Sequence, residues 1–307
     1  MKDNTKDDYW YRYVFNENPH KIDETIEEIV LKLNDTEIHV DIFGINSDTN
    51  KNIIFIHGTS VYSKFYAEFC YNIYQKGFRV FAPDLVGHGL SGGRRGHFTM
   101  EMLTKVIYDL TTYIRENFSE KIGVIGSSLG GITALYCVAN DPRLKASICH
   151  NAAIFNEDAY KEIIKLKGIL KILAPTIPGL SKILPKLRLS VLLYLDFKEL
   201  TKSDLVRESI DILMKDVLFT KKYSLTSFKT QMRAPLARAI EEIEVPIMFI
   251  NGEEDNLFSV EYMKRIFERL TCDHKKLVIL EKASHLIFQE NIQEALDFII
   301  PWLEKII

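Results

Sequence analysis

Apolar residues recur along this chain with two periods. "EIHVDIFG" (37–44) alternates residue by residue, as a half-buried strand does. "NIIFIHG" (52–58) and "FRVFAPD" (78–84) are short apolar runs that end at turn residues, the pattern of strands buried on both faces. "KIGVIG" (121–126), "KASICHN" (145–151), "VPIMFING" (245–252) and "KKLVILE" (275–281) continue the series. Between them lie segments with helical spacing, at about 63–76, 99–118, 129–140, 259–270 and 291–306. Alternation of this kind predicts an α/β fold, a mostly parallel sheet with helices on both faces. The first thirty residues are acidic apart from "YWYRYVF" (9–15), whose rings are expected to pack on the body of the protein without a chemical role.

From about 154 to 240 the alternation stops and no strand is expected. Between Ile163 and Val191 there is no acidic residue, but Lys165, Lys167, Lys171, Lys182, Lys186 and Arg188 are interleaved with Ile, Leu and Pro. Leu180, Ile183, Leu184 and Leu187 recur at i, i+3, i+4 and i+7, an apolar helical face that Pro185 must bend or end. The segment reads as a helical cap or lid at 154–240, inserted between two parts of a core at 1–153 and 241–307. Its apolar face suits a greasy lid whose lysines favour anionic lipid surfaces, or an ordinary cap helix packed on the core.

Composition narrows the field. The 307 residues are 47% hydrophobic and 26% charged, enough for a large core. A net charge of -3 lacks the basic footprint that nucleic acid requires. Cys70, Cys137, Cys149 and Cys272 are far apart, without zinc-ligand spacing, and are expected as reduced core thiols. No metal and no cofactor is expected. The start, "MKDNTKDDYW", is too acidic and polar for a secretory signal, and no apolar run reaches membrane-spanning length. A soluble cytoplasmic protein is the expectation.

"VGHGLSGGRRGH" (86–97) contains Gly87, Gly89 and Gly92 at the G-x-G-x-x-G spacing of dinucleotide-binding loops. That reading needs a strand before the glycines and a helix after them. The strand is there, but "GRRGHF" follows, with no helical period before Thr99. The acid expected about twenty residues on would be Asp109, inside a helical segment rather than at a strand end. The turn serves something else.

"VIGSSLGGITALY" (124–136) holds G-x-S-x-G at Gly126, Ser128 and Gly130, between an apolar strand and a helical segment. This is the context of a nucleophile elbow, in which glycines allow a strained turn to present the serine above the sheet edge. Ser128, not Ser127, has the required spacing. A serine needs a base, and in this architecture the order is Ser, acid, His. His274 and His285 come late enough; His274 precedes its strand, whereas His285 follows it and reaches the edge that carries Ser128. His20, His39, His150 and His274 read as surface or satisfied core residues. The acid belongs in "INGEEDNLF" (250–258), where Glu253, Glu254 and Asp255 compete and spacing favours Asp255, then Glu254. Two backbone N–H groups would form an oxyanion hole, Leu129 after the nucleophile and Thr59 in "HGTS" (57–60).

With these parts in order, the chain resembles the α/β-hydrolase superfamily, and within it the monoacylglycerol lipase and lysophospholipase-like branch, sometimes grouped with serine aminopeptidases. The resemblance rests on His57-Gly58, "DLVGHGLS" (84–91), "GGRRGH" (92–97) and "GSSLG" (126–130), and covers about 35–150 and 240–300. The glycine-rich turn looks like that branch's loop beside the active site. One departure is Val61-Tyr62, near the place where the branch often has Glu-His; it bears on substrate recognition rather than on the triad. Ser128 in place of Asp sets aside a dehalogenase, and the lack of H-E-x-x-H sets aside a zinc hydrolase. The resemblance implies a serine ester hydrolase acting on a small acyl ester, a single-chain lipid such as a monoacylglycerol or lysophospholipid. Transient membrane contact through the cap goes with that reading. A short-chain carboxylesterase, an amidase or peptidase, and a binding protein that kept the fold without turnover are the alternatives; the intact serine, acid, histidine and H-G set argues against the last.

Overall fold

The computed structural model describes residues 8–157, 159 and 174–307. Eight strands form one sheet: β1 (Ile26–Leu33), β2 (Thr36–Phe43), β3 (Lys51–Ile56), β4 (Arg79–Pro83), β5 (Lys121–Ser127), β6 (Ala146–His150), β9 (Ile247–Gly252) and β10 (Lys276–Leu280). Their spatial order is β1-β2-β4-β3-β5-β6-β9-β10. β2 pairs antiparallel with both β1 and β4, and the pairs from β4 to β10 are parallel. This is the α/β fold expected from the alternation, and each run read as a strand forms one.

The central strands are buried on both faces because helices cover each side of the sheet. Helix Met100–Asn117 starts where the Thr99 hydroxyl accepts the Met102 N–H, and it buries Leu103, Val106, Ile107, Leu110 and Ile114 at helical spacing. Helix Leu129–Asn140 is apolar nearly all round, since it packs against β5, β6 and helix Met100–Asn117 together. All four cysteines are free and buried. No helix among the described residues is long and apolar enough to cross a membrane.

Two strand expectations need correction. β1 lies within the stretch read only as acidic; it is an edge strand with mostly exposed or half-exposed side chains, so it carries no clean alternation. Asn34 and Asp35, both at positive φ, turn it into β2. Between β6 and β9, where no strand was expected, β7 (Arg188–Ser190) and β8 (Lys222–Ser224) pair antiparallel as a separate two-stranded ribbon. Three-residue strands are too short to show a period. The apolar face read across Leu180–Leu187 is also interrupted: the helix runs Ile177–Ile183 and stops before Pro185. Leu180, Ile183, Leu184 and Leu187 are exposed rather than packed on the core. Lys165, Lys167 and Lys171 lie outside the described residues.

The aromatic cluster near the start does pack on the body. Trp10 and Tyr13 are buried. Tyr13 donates a hydrogen bond to Asp216 Oδ2 at 3.0 Å, and Tyr62 donates to the same oxygen. The segment therefore ties the loop after β3 to the insertion between β6 and β9.

Candidate active site

The parallel register brings five strand ends to one edge. Gly126 pairs with Ile56, Ser127 with His150, and His150 with Ile250. The loops after β3, β5, β6, β9 and β10 therefore emerge side by side, where ligands of open α/β sheets bind.

Ser128 sits between β5 and helix Leu129–Asn140 with φ 56° and ψ −116°, a strained conformation for a residue with a side chain. The strain has a steric cause. A Cβ at Gly126 would overlap the Gly130 carbonyl, and one at Gly130 would overlap the carbonyls of Ile56 and His57. Two glycines let the turn close tightly enough to raise Ser128 above the edge, and the Ser128 N–H donates to the His150 carbonyl at 2.9 Å to hold it there.

The loops after β9 and β10 are stitched together. Glu253 N–H donates to Leu280 O and Glu254 N–H to Ala283 O, both at 2.9 Å. This brings the buried Asp255 Oδ2 to 2.8 Å from His285 Nδ1. Glu253 and Glu254 point outward: Glu253 accepts from the Lys282 N–H and Glu254 pairs with Lys202. Of the three carboxylates left open by the sequence, Asp255 is the one that meets His285. Oδ2 also accepts from Asn151 Nδ2 at 2.9 Å, and Oδ1 accepts from the Leu257 and Phe258 N–H groups at 2.8 and 3.0 Å. Burial alone would raise the Asp255 pKa. The His285 charge and hydrogen bond, the His150 charge and the Phe258 N–H outweigh it and hold it at about 2.

Thr59 and Leu129 flank Ser128 in the wall of one cavity of about 50 Å³, with Phe155, Tyr194, Leu257 and Phe258 among the other lining residues. Leu129 opens its helix, where the first N–H groups have no intrahelical acceptor. The Thr59 N–H has no acceptor among the described residues. His57 fixes the peptide that carries it: His57 Nδ1 donates to the Gly58 carbonyl at 2.8 Å, and Nε2 accepts the Leu85 N–H at 2.9 Å. In a trans peptide the N–H points opposite its carbonyl, so anchoring Gly58 O aims the Thr59 N–H the other way. A second cavity of about 30 Å³ runs from Ser128 and His285 between Val61, Phe65, Leu195, Phe197 and Leu213.

The glycine-rich turn is a brace. Asp84 accepts N–H groups from Ser63 at 2.8 Å and Leu90 at 2.7 Å, and a Cβ at Gly89 would overlap its carboxylate. His88 is buried against Tyr223 of β8. The turn thus joins the loop after β3, the loop after β4 and the ribbon.

Sequence reasoning passed over Asn151 and read His150 as a surface or satisfied core residue; it is buried beside the site. His150 accepts or donates at Nδ1 with Ser127 Oγ at 2.9 Å, and its ring centroid lies 5.3 Å from that of His285. Their placement at the carboxyl end of β6 was the available signal. His20 and His274 lie in surface positions, and His39 is a buried residue paired with Glu28 and Asp84. Two donor groups among the described residues are close enough to share a cation, His150–Asp255–His285 and Glu28–His39–Asp41. In the first, both carboxylate oxygens already accept two N–H groups each. In the second, the Lys64 ammonium lies 2.7 Å from Glu28 and 3.3 Å from Asp41.

Residues 47–292 match the model of the serine aminopeptidase S33 family. Human monoglyceride lipase is 24% identical over 259 residues, covering 79% of this chain and 78% of that protein. Phospholipase YtpA of Bacillus subtilis is 23% identical over 249 residues, covering 79% of this chain and 90% of its own. Among solved structures, monoacylglycerol lipase of Paleococcus ferrophilus superposes with a TM-score of 0.73 at 24% identity, covering 87% of this chain and 98% of the other.

Proposed function

The chain belongs to the serine aminopeptidase S33 family of α/β-hydrolases, a hydrolase of the lipase and esterase type, and from that premise we propose that it cleaves single-chain acyl esters, monoacylglycerols or lysophospholipids, through Ser128, His285 and Asp255. The observation that carries the assignment is the buried Asp255–His285 hydrogen bond at the edge that presents Ser128 at positive φ. Asp255, ionised at all ordinary pH, accepts a hydrogen bond from Nδ1–H and leaves the Nε2 lone pair free as a base. His285 removes the Ser128 proton as Oγ attacks the acyl carbonyl. The oxyanion is held by the Thr59 and Leu129 N–H groups, and His285 then protonates the departing alcohol. Water, activated by the same imidazole, releases the acid and restores Ser128.

The apolar walls of the two cavities beside Ser128 support an acyl substrate. Residues of the segment between β6 and β9, Tyr194, Leu195, Phe197 and Leu213 among them, line these spaces, and the segment is proposed as a lid over Ser128. The names of the relatives, monoglyceride lipases and a phospholipase, point to the same substrate class. The test is hydrolysis rate against acyl length, from acetyl to palmitoyl esters, with Ser128→Ala as the blank. Rates that climb through medium and long chains are expected. Activity confined to the shortest esters would make it a small-molecule esterase, and rates equal to the blank at every length would overturn ester hydrolysis altogether.

A second reading concerns where the substrate is met. Leu180, Ile183, Leu184 and Leu187 stand exposed beside Lys182, Lys186 and Arg188, with Ile183 77% exposed. Apolar side chains ringed by cations suit the surface of an anionic membrane. The lid is thereby proposed to dock transiently on lipid.

A further inference from the structure

Tyr223 lies in the β7–β8 ribbon, outside the triad, and its hydroxyl is wholly buried in a chain of hydrogen bonds whose direction can be read off. Ser60 N–H donates to Tyr223 Oη at 2.7 Å. Tyr223 Oη lies 2.8 Å from His88 Nε2, and His88 Nδ1 lies 3.1 Å from the Val86 carbonyl. A carbonyl only accepts, so Nδ1 carries the His88 proton, Nε2 is the acceptor, and the tyrosine O–H donates to it. Burial, then the neighbouring His57, pushes His88 down to about 3, which keeps it in this neutral form. The hydroxyl is therefore locked with its lone pairs toward Ser60.

Ser60 follows Thr59 and is itself held at φ 68°, in the left-handed region, fully buried. Its carbonyl is fixed as well, accepting the Thr220 N–H at 2.8 Å. The peptide before Thr59 is fixed by His57, through the Gly58 carbonyl. The peptide after it is fixed by Tyr223, which is supplied by the inserted segment. Thr59 hangs between these two clamps.

We propose that Tyr223 is a positioning residue for the oxyanion hole: by accepting the Ser60 N–H it holds the strained turn that aims the Thr59 N–H at the developing oxyanion, and so makes catalysis depend on the seating of the lid ribbon. The inference rests on Thr59 serving as an oxyanion donor. Complete loss of one such donor costs about 10² to 10³ in rate, and a donor loosened rather than removed is expected to cost about tenfold.

Tyr223→Phe tests this, since it keeps the ring packed against His88 and Phe98 and removes only the hydroxyl. Rates on p-nitrophenyl butyrate would be normalised to the active-site fraction titrated with a fluorophosphonate, with circular dichroism confirming a folded variant. The expected result is a kcat about tenfold lower with KM within twofold, and weakening by the same factor of an alkyl boronic acid, whose tetrahedral adduct on serine places an oxygen in the oxyanion hole. His88→Leu, which removes the acceptor that orients the hydroxyl, should move kcat and boronate affinity in the same direction by a smaller factor. An unchanged kcat in Tyr223→Phe, or a kcat loss without weaker boronate binding, would overturn the proposal. If the wild-type protein neither turns over esters nor takes the fluorophosphonate, the hydrolase assignment fails instead.

Discussion

Replacing Asp255 by Asn would set one amide N–H₂ group among donors. The Oδ1 position accepts two backbone N–H groups, from Leu257 and Phe258, which cannot turn away. The amide nitrogen is thus forced to the Oδ2 side, facing His285 Nδ1. There it donates, and His285 must move its proton to Nε2, the atom proposed as the base. We expect kcat to fall by roughly 10⁴ with the fold intact. Glu254→Gln, at the surface beside Lys202, should stay within twofold of wild type in the same assay. The contrast shows what the sequence carried at this scale. Spacing from the strand end singled out a three-residue run, and only the stitching of two loops separates one carboxylate from its neighbours. Ser128 and His285 were legible because motif and chain order constrain them. Asn151, Tyr223 and His88 were not, since each acts through a partner more than a hundred residues away in the chain.

At the scale of elements, legibility followed length and burial. β9 is buried throughout and β3 and β5 are buried after their first residue, so all three show as apolar runs, whereas β1 is an exposed edge and β7 and β8 are too short for periodicity to register. The helix Ile177–Ile183 shows the opposite failure, a true apolar spacing that does not report packing on the core. If its exposed side chains enter lipid, Ile183→Ser with Leu184→Ser should cut binding to anionic phosphatidylglycerol vesicles about tenfold in a sedimentation assay. Hydrolysis of a soluble short-chain ester should be unaffected. Equal binding of variant and wild type would remove the membrane-docking reading and leave the lid as a pocket cover.

For the molecule as a whole, buried histidines set how stability depends on pH. Burial, then the nearby His285, holds His150 at about 3, and burial with His57 holds His88 at about 3. Between pH 6.5 and 3 the unfolded chain protonates both histidines while the native state keeps them neutral, and His57, lowered by its burial, acts in the same direction, so stability falls as pH drops below about 6.5. His39 works the other way. Burial lowers its pKa, but the Asp84 and Glu28 carboxylates against its two ring nitrogens and the Asp41 charge outweigh this and raise it to about 10. The native state then keeps a proton that the unfolded chain releases, and this contribution is lost as pH rises from 6.5 through 10. The melting temperature should peak near pH 6.5, and His39→Gln should flatten the alkaline limb while leaving the acid limb in place. A profile flat from pH 5 to 9 would contradict both assignments.

The segment between β6 and β9 leaves and rejoins the sheet at neighbouring strands, with Ser147 opposite Ile247. A lineage can lengthen, shorten or exchange such a segment without re-registering a strand pair. Inheritance is constrained at one point. Any borrowed insertion must bring its own acceptor for the Ser60 N–H, or descend together with a loop after β3 that no longer asks for one.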